Sequence, residues 1–379
     1  MYIRQKQLDY LKKSLIKNKV FVLYGPRRCG KTTLIQHFIK EYKQPALFVT
    51  GEDITVRQPL ASQSIEQLKQ FVGKYKLLII DEAQKIPAIG LNLKLMVDHI
   101  PGITIIATGS ASFDLANQIG EPLTGRKYTL RLFPLAQLEL QAVEHSAQTT
   151  ARLEQRLLYG SYPEVVTMLG NEERTLYLGE LVNTYLYKEI LEVEGLRHSD
   201  KLLRLLQLLA FQIGSEVSLS ELGRQLEMSK HTVERYLDLL EKTFVIFHMG
   251  GFSRNLRKEV SKSSRYYFYD VGVRNALIDN FNPLALRNDT GMLWENYCVM
   301  ERIKYQEYIG PRARNYFWRT YTQQEIDWVE DYSGKLHGYE FKWSAKKVPK
   351  IPKAWSTTYP DASYQAINPT NYRPFIGAE

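Results

Sequence analysis

The stretch Gly25-Pro26-Arg27-Arg28-Cys29-Gly30-Lys31-Thr32-Thr33 has the residue types and spacing to hold a triphosphate. It fits the pattern G-x-x-x-x-G-K-[ST], between an apolar run (Val20 to Tyr24) and a helical pattern, the strand-to-helix context that the motif requires. The glycines let successive backbone N–H groups point at phosphate oxygens, and the helix that follows adds the positive end of its dipole. Lys31 can then reach the β- and γ-phosphates, while the Thr32 hydroxyl can hold Mg²⁺. ATP and Mg²⁺ are the expected cofactors.

A pair of carboxylates follows about 50 residues later, as such a site requires. The run Leu77-Leu78-Ile79-Ile80 reads as a parallel strand covered on both faces, and it ends in Asp81-Glu82. In a doubly wound sheet that end lies beside the phosphate loop. This is a Walker B pattern, in which Asp81 holds Mg²⁺ through water and Glu82 positions and polarises the attacking water. A further buried strand, Gly102 to Ala107, ends in Thr108-Gly109-Ser110. Either Thr108 or Ser110 can sense a γ-phosphate, or each is a turn residue.

A second constellation lies near the C-terminus: Glu295, Asp327, Glu340 and Lys342. Side chains alternate along a strand, so Glu340 and Lys342 share a face, where Asp327 of the preceding strand can meet them. Those carboxylates, completed by Glu295 from a helix, make an oxygen-ligand site for Mg²⁺. A metal there activates water and stabilises a departing oxyanion, with Lys342 orienting the nucleophile or neutralising charge. Glu-x-Lys alone is common on exposed strands. The order of all four residues carries the reading, and it does not by itself establish turnover.

Between these groups, Ser218 to Leu240 reads as a helix-turn-helix, with Ser220 capping the first helix and Ser229 the second. Lys230, His231, Thr232, Glu234 and Arg235 fall in the first turns of the second helix, where groove contacts are made. Phe244 to Met249 and Arg265 to Tyr269 read as the strands of a winged-helix hairpin, joined by a basic loop. The candidate DNA contacts are Lys230, His231, Arg235, Arg254, Arg257 and Lys258. The same element can instead be a packing module.

The elements that must position these groups fall into four stretches. Residues 1–150 alternate strand and helix patterns after an amphipathic helix from about Ile3 to Lys17. Residues 151–212 are helical (Arg152 to Tyr159, Glu172 to Glu192, Lys201 to Phe211), 213–285 hold the winged helix, and 286–379 hold a helix followed by strands. A chain of 379 residues is too long for one ordinary core. With 50 basic against 41 acidic residues the net charge is +9, which suits a partner carrying phosphates. Cys29 and Cys298 read as reduced thiols, since a disulfide would disrupt the phosphate loop. No apolar run approaches the roughly 20 residues that span a bilayer, and no signal-peptide pattern opens the chain. A cytoplasmic location without a membrane partner is expected.

Lys31, Asp81-Glu82 and the Thr-Gly-Ser strand end resemble an AAA+ ATPase of the additional-strand P-loop group. The stretch Leu123-Thr-Gly125-Arg126 to Arg131-Leu-Phe-Pro134 is similar to a signature of a prokaryotic family that fuses an AAA ATPase to a C-terminal domain of uncharacterised function. The resemblance implies that Arg126, or failing it Arg131, is an arginine finger reaching a neighbour's γ-phosphate. It implies a homo-oligomer, a hexamer by analogy with the superfamily. Gly160-Ser-Tyr-Pro163 resembles an element found after the core in that family and in signalling ATPases, which makes residues 151–212 a lid. Glu295, Asp327, Glu340 and Lys342 are similar to the PD-(D/E)xK nuclease constellation. The expected fold class is therefore α/β: a P-loop AAA+ core with helical lid, a winged helix, and a C-terminal restriction-endonuclease-like domain. The function implied is ATP-driven work on duplex or branched DNA. The alternatives are an ATP-dependent signalling switch with a protein partner, and an ATP-gated metal-dependent endonuclease.

Overall fold

The computed structural model describes residues 2–110, 123–186, 199–254, 263–346 and 349–379. These fall into two compact units: residues 2–110, 123–135 and 242–244, and the remaining described residues. The basic loop residues Arg257 and Lys258, and the end of the expected helix at Glu192, lie outside the described residues.

The first unit is built on a parallel five-stranded sheet. Its strands are β1 (Lys19–Tyr24), β2 (Ala46–Thr50), β3 (Leu77–Asp81), β4 (Thr104–Gly109) and β5 (Lys127–Arg131), in the order β2-β3-β4-β1-β5. The alternation of apolar residues explains the layers. Val20, Val22, Leu78, Ile80 and Ile105 turn to one face, where they pack with Leu68 and Val72 of the helix Ile65–Val72 and Leu93 and Met96 of the helix Ile89–His99. Phe21, Leu23, Leu77, Ile79 and Ile106 turn to the other, against Leu34, Ile35 and Phe38 of the helix Lys31–Glu41 and Leu8 and Leu11 of the first helix, Lys6–Ser14. β4 lies between β1 and β3, so one strand separates the phosphate loop from the carboxylate pair, as the additional-strand resemblance requires. The helix Ile54–Leu60, with Pro59 inside it, has no counterpart in the sequence reading.

The second unit contains a four-stranded sheet, β11-β10-β9-β8, formed by β8 (Arg314–Arg319), β9 (Glu325–Tyr332), β10 (Lys335–Phe341) and β11 (Ser363–Ile367). It is mixed, antiparallel for β8, β9 and β10 and parallel where β11 joins β10. The long helix Thr290–Tyr308 is buried along most of its length. It is tied to β9 by Arg302, whose Nη2 donates to Glu330 Oε2 at 2.7 Å. The two-stranded ribbon β6 (Ile246–Gly250) and β7 (Ser264–Phe268) is antiparallel. Asn296 clamps β7 to the long helix, accepting from the Phe268 amide at 2.7 Å and donating to its carbonyl at 2.9 Å.

Two helices, Leu219–Leu226 and Lys230–Lys242, precede the ribbon. Ser229 Oγ accepts from the Thr232 amide, capping the second helix as the sequence suggests. The first helix differs. Ser218, not Ser220, is its cap, accepting from the Glu221 amide, and Ser220 lies exposed inside the helix. The stretch Gly160 to Pro163 packs in this second unit, where Asp270 Oδ2 accepts from the Ser161 amide at 2.7 Å.

Candidate functional sites

β1 delivers the chain to the phosphate loop, and two glycines decide how the loop turns. A Cβ on Gly25 would stand 2.0 Å from the Leu132 carbonyl oxygen, and Gly30 has φ +100°, a left-handed value that favours glycine. Lys31 opens the following helix. Its ammonium donates to the carbonyls of Gly25 at 2.8 Å and Pro26 at 2.9 Å, so it lies folded against the loop that it serves. Arg27, Arg28, Thr32 and Thr33 are exposed, and Cys29 is buried with its carbonyl held by Gln5 Nε2 at 3.0 Å. No motif marks Gln5, yet it braces the loop from outside.

The carboxylate pair stands where the sequence places it. Thr32 Oγ1 donates to Asp81 Oδ2 at 2.8 Å, joining the loop helix to the end of β3. Thr108, with no exposure, donates to Asp81 Oδ1 and accepts from the Glu82 amide at 3.3 Å. Its hydroxyl is thus engaged with the Walker carboxylate. Ser110 is nearly buried, and its Oγ accepts from Gln84 Nε2 at 3.2 Å. Gln84 also donates to Glu82 Oε2, so one carboxamide links Glu82 and Ser110. Gln84 is the second residue that motif reading passed over. Its signal was position alone, two residues beyond Glu82.

These groups fit a magnesium nucleotide. Two hard oxygens, Thr32 Oγ1 and Asp81 Oδ2, stand together at a helix N-terminus beside a lysine ammonium. Arg126 lies elsewhere. It precedes β5, its carbonyl accepting from the Val20 amide at the start of β1, whereas the loop leaves the far end of that strand. Its Nε donates to Asp98 Oδ1 at 2.7 Å, and the side chain is exposed. Arg131 closes β5 opposite Tyr24, also exposed, with its carbonyl taking Gln7 Nε2 at 2.9 Å.

The C-terminal constellation is also assembled, with an added member. Glu295 from the long helix, Asp327 from β9, and Glu340 and Lys342 at the end of β10 lie close together. Lys342 Nζ donates to Glu340 Oε1 at 2.7 Å, and the Phe341 amide donates to Asp327 Oδ2 at 2.9 Å. The unforeseen residue is Arg265 of β7. Its Nη2 donates to Glu325 Oε2 at 2.9 Å, while Nη1 stands 3.7 Å from both Glu295 Oε1 and Asp327 Oδ1. Tyr267 donates to Glu295 Oε1 at 2.8 Å. Burial, and then the neighbouring charge of Asp327, pushes Glu295 up to about 8 and Glu340 up to about 7. Among the described residues, no three acidic, histidine or cysteine side chains stand close enough to hold a metal ion. The expected ligands Glu295, Asp327 and Glu340 lie in an ion-paired cluster, in which Arg265 Nη1 approaches two of them.

Of the candidate DNA contacts, Lys230, His231 and Arg235 are exposed on the second helix of the helix pair, and Arg254 is exposed after β6, its guanidinium 5.7 Å from the Phe252 ring centre. Among the described residues, no helix is long and apolar enough to cross a membrane.

Residues 17–141 match the family described as AAA domain. Residues 150–284 and 290–372 match two families described as domains of unknown function, DUF8612 and DUF4143. An uncharacterized protein of Mycobacterium tuberculosis is 27% identical over 354 residues, covering 93% of this chain and 76% of its own length. Another, from Methanocaldococcus jannaschii, is 23% identical over 310 residues, covering 76% and 67%. Among solved structures, a signal-transduction ATPase (STAND protein) of Pyrococcus horikoshii overlaps 81% of this chain and 47% of its own at 14% identity and TM-score 0.32, so this chain spans about half its length. Cdc6p of Pyrobaculum aerophilum overlaps 73% and 95% at 12% identity and TM-score 0.27. Neither structural likeness bears on function at those scores. The parallel sheet and the phosphate loop lie within the residues 17–141 that match the AAA domain family.

Proposed function

We propose that this protein hydrolyses ATP and uses the cycle to act on DNA as a motor or remodeller. The observation that carries the first half is the juncture of Thr32, Asp81, Glu82 and Thr108 at the end of β3 beside the phosphate loop. Lys31 and the loop amides hold the phosphates, and Thr32 with Asp81 holds Mg²⁺, which neutralises phosphate charge when bound. Glu82, oriented by Gln84, takes the proton of the attacking water. Arg126 completes the site of an adjacent copy once Asp98 releases it, so hydrolysis needs the homo-oligomer.

The second half is supported by the exposed side chains Lys230, His231 and Arg235 at the start of one helix and by a net charge of +9. In this reading the helix pair and ribbon form a winged helix, and the C-terminal sheet is a nuclease-like platform that binds DNA.

Three measurements test the proposal. Glu82→Gln should retain ATP binding and lose at least about 100-fold in hydrolysis, the lower range for removing a positioned general base. Duplex or branched DNA should stimulate the wild-type rate. If six or more phosphates are contacted, DNA affinity should fall by about 1,000-fold or more from 50 to 200 mM salt. Hydrolysis indifferent to every DNA form, with no salt-dependent binding, would remove the DNA half and leave the ATPase.

A further inference from the structure

The ribbon strand β7 sends a cationic side chain, beside that of Tyr267, into the C-terminal acidic cluster. Arg265 is 5% exposed, and its guanidinium lies 4.6 Å from the Phe317 ring centre. Nη2 is committed to Glu325 at 2.9 Å. Nη1 stands 3.7 Å from an oxygen of Glu295 and equally from one of Asp327. These two carboxylates, with Glu340, are the groups on which a divalent ion would have to close. The surroundings fix the arginine there. Asn296 clamps the Phe268 backbone of the same strand, and Glu216 bridges backbone to backbone with Arg265 while pairing with Arg319. On the other side, Lys342 holds Glu340 Oε1 at 2.7 Å, and Glu340 Oε2 is buried without a partner.

We infer that Arg265 is the resident cation of this pocket, an internal guanidinium that stands in place of a divalent metal and keeps the pocket closed to one. A guanidinium serves this purpose because its charge is permanent and its planar fork can face several carboxylates at once. The carboxylates are neighbours without forming a metal cage, and the cation between Glu295 and Asp327 is the physical reason. Buried carboxylates need a counter-charge, and here the chain supplies it from another strand. The nuclease-like arrangement is therefore locked by the ribbon, and β7 must shift before the pocket takes up a metal. The inference is independent of the nucleotide site.

The test is Mn²⁺ binding to the full chain without nucleotide, read from the loss of the free-ion electron paramagnetic resonance signal. Wild type should show no Mn²⁺ binding that Asp327→Asn abolishes. Arg265→Gln should be less heat-stable, should gain one site at least about 100-fold tighter than any in wild type, and should recover stability as Mn²⁺ is added. The double variant Arg265→Gln/Asp327→Asn should lose that site. A wild-type site abolished by Asp327→Asn would overturn the inference, as would a folded Arg265→Gln that takes no Mn²⁺. If Arg265→Gln fails to fold, the comparison of wild type with Asp327→Asn still decides. None of these results depends on whether ATP hydrolysis responds to DNA.

Discussion

Valine at position 108 keeps the shape of threonine and deletes one oxygen, so Thr108→Val isolates what that hydroxyl does. In the wild type it donates to Asp81 Oδ1 and accepts from the Glu82 amide at 3.3 Å, with no exposure. Its loss deprives a carboxylate and an amide together. A hydrogen bond to a charged group contributes about 1.5–3 kcal/mol and one between neutral groups about 1 kcal/mol, for a destabilisation of about 2–4 kcal/mol. Asp81 Oδ2 keeps the Thr32 hydroxyl, so the carboxylate stays in place but turns more freely. Supporting groups behind a metal ligand typically tune metal affinity by about 10–100-fold. ATP should therefore bind about 10–100-fold more weakly in Mg²⁺ and nearly normally in EDTA, because Lys31 is held by the loop carbonyls and not by Thr108. A fluorescent nucleotide titrated under both conditions reads the difference. Stability can be followed separately in the two units. All five tryptophans (Trp294, Trp318, Trp328, Trp343, Trp355) lie in the second unit, so their fluorescence follows that unit, while far-ultraviolet circular dichroism follows both. Equal losses of affinity with and without Mg²⁺, or no loss in a folded variant, would refute the positioning role of Thr108.

Two further expectations concern the second unit. Ser218→Ala should cost about 1 kcal/mol through loss of the helix cap, whereas Ser220→Ala, at an exposed position inside the helix, should be neutral or slightly stabilising; urea midpoints compare them. Burial alone would raise the Asp289 carboxyl, but hydrogen bonds from Arg287 and Arg274 draw it down to about 2 from an ordinary 3.8. A depressed carboxyl adds stability that is complete above its unfolded value and is lost as pH falls through the folded one. The urea-midpoint advantage of wild type over Asp289→Asn should thus be constant above about pH 5 and shrink toward pH 2; an advantage independent of pH in that window would contradict the pairing.

What the sequence disclosed follows its redundancy. The run Leu77 to Ile80 is apolar on both faces, ends in two carboxylates and follows a complete phosphate loop, so several signals agree on β3 and its role. Where one signal stood alone, the reading slipped. Ser218 and Ser220 both precede a glutamate in a helical pattern, and only the backbone decides which hydroxyl faces the free amides. Pro59 argues against the helix that nevertheless contains it. Gln5 and Gln84 carry no motif, because a carboxamide that braces a loop needs geometry and not spacing. Arg265 sits in the aromatic run Arg265-Tyr-Tyr-Phe-Tyr269, where periodicity marks a strand but gives no sign that its first residue reaches a distant cluster.

The two acidic sites make the general point through their donors. The carboxylate of Asp81 receives hydrogen bonds from two hydroxyls, Thr32 and Thr108, which orient it and leave its negative charge available to a cation. Asp327 accepts from the Phe341 amide at 2.9 Å and is also approached, at 3.7 Å, by a guanidinium that offsets its charge. Both residues lie on a stretch of buried strand and both sit beside a second carboxylate, so a pattern of acidic residues cannot separate them. The charge of the neighbouring donor does. A carboxylate with neutral donors alone keeps its charge for an incoming ion, whereas a cationic neighbour takes that ion's place. By this criterion the site at the end of β3 is ready for Mg²⁺, whereas the C-terminal cluster must first release Arg265.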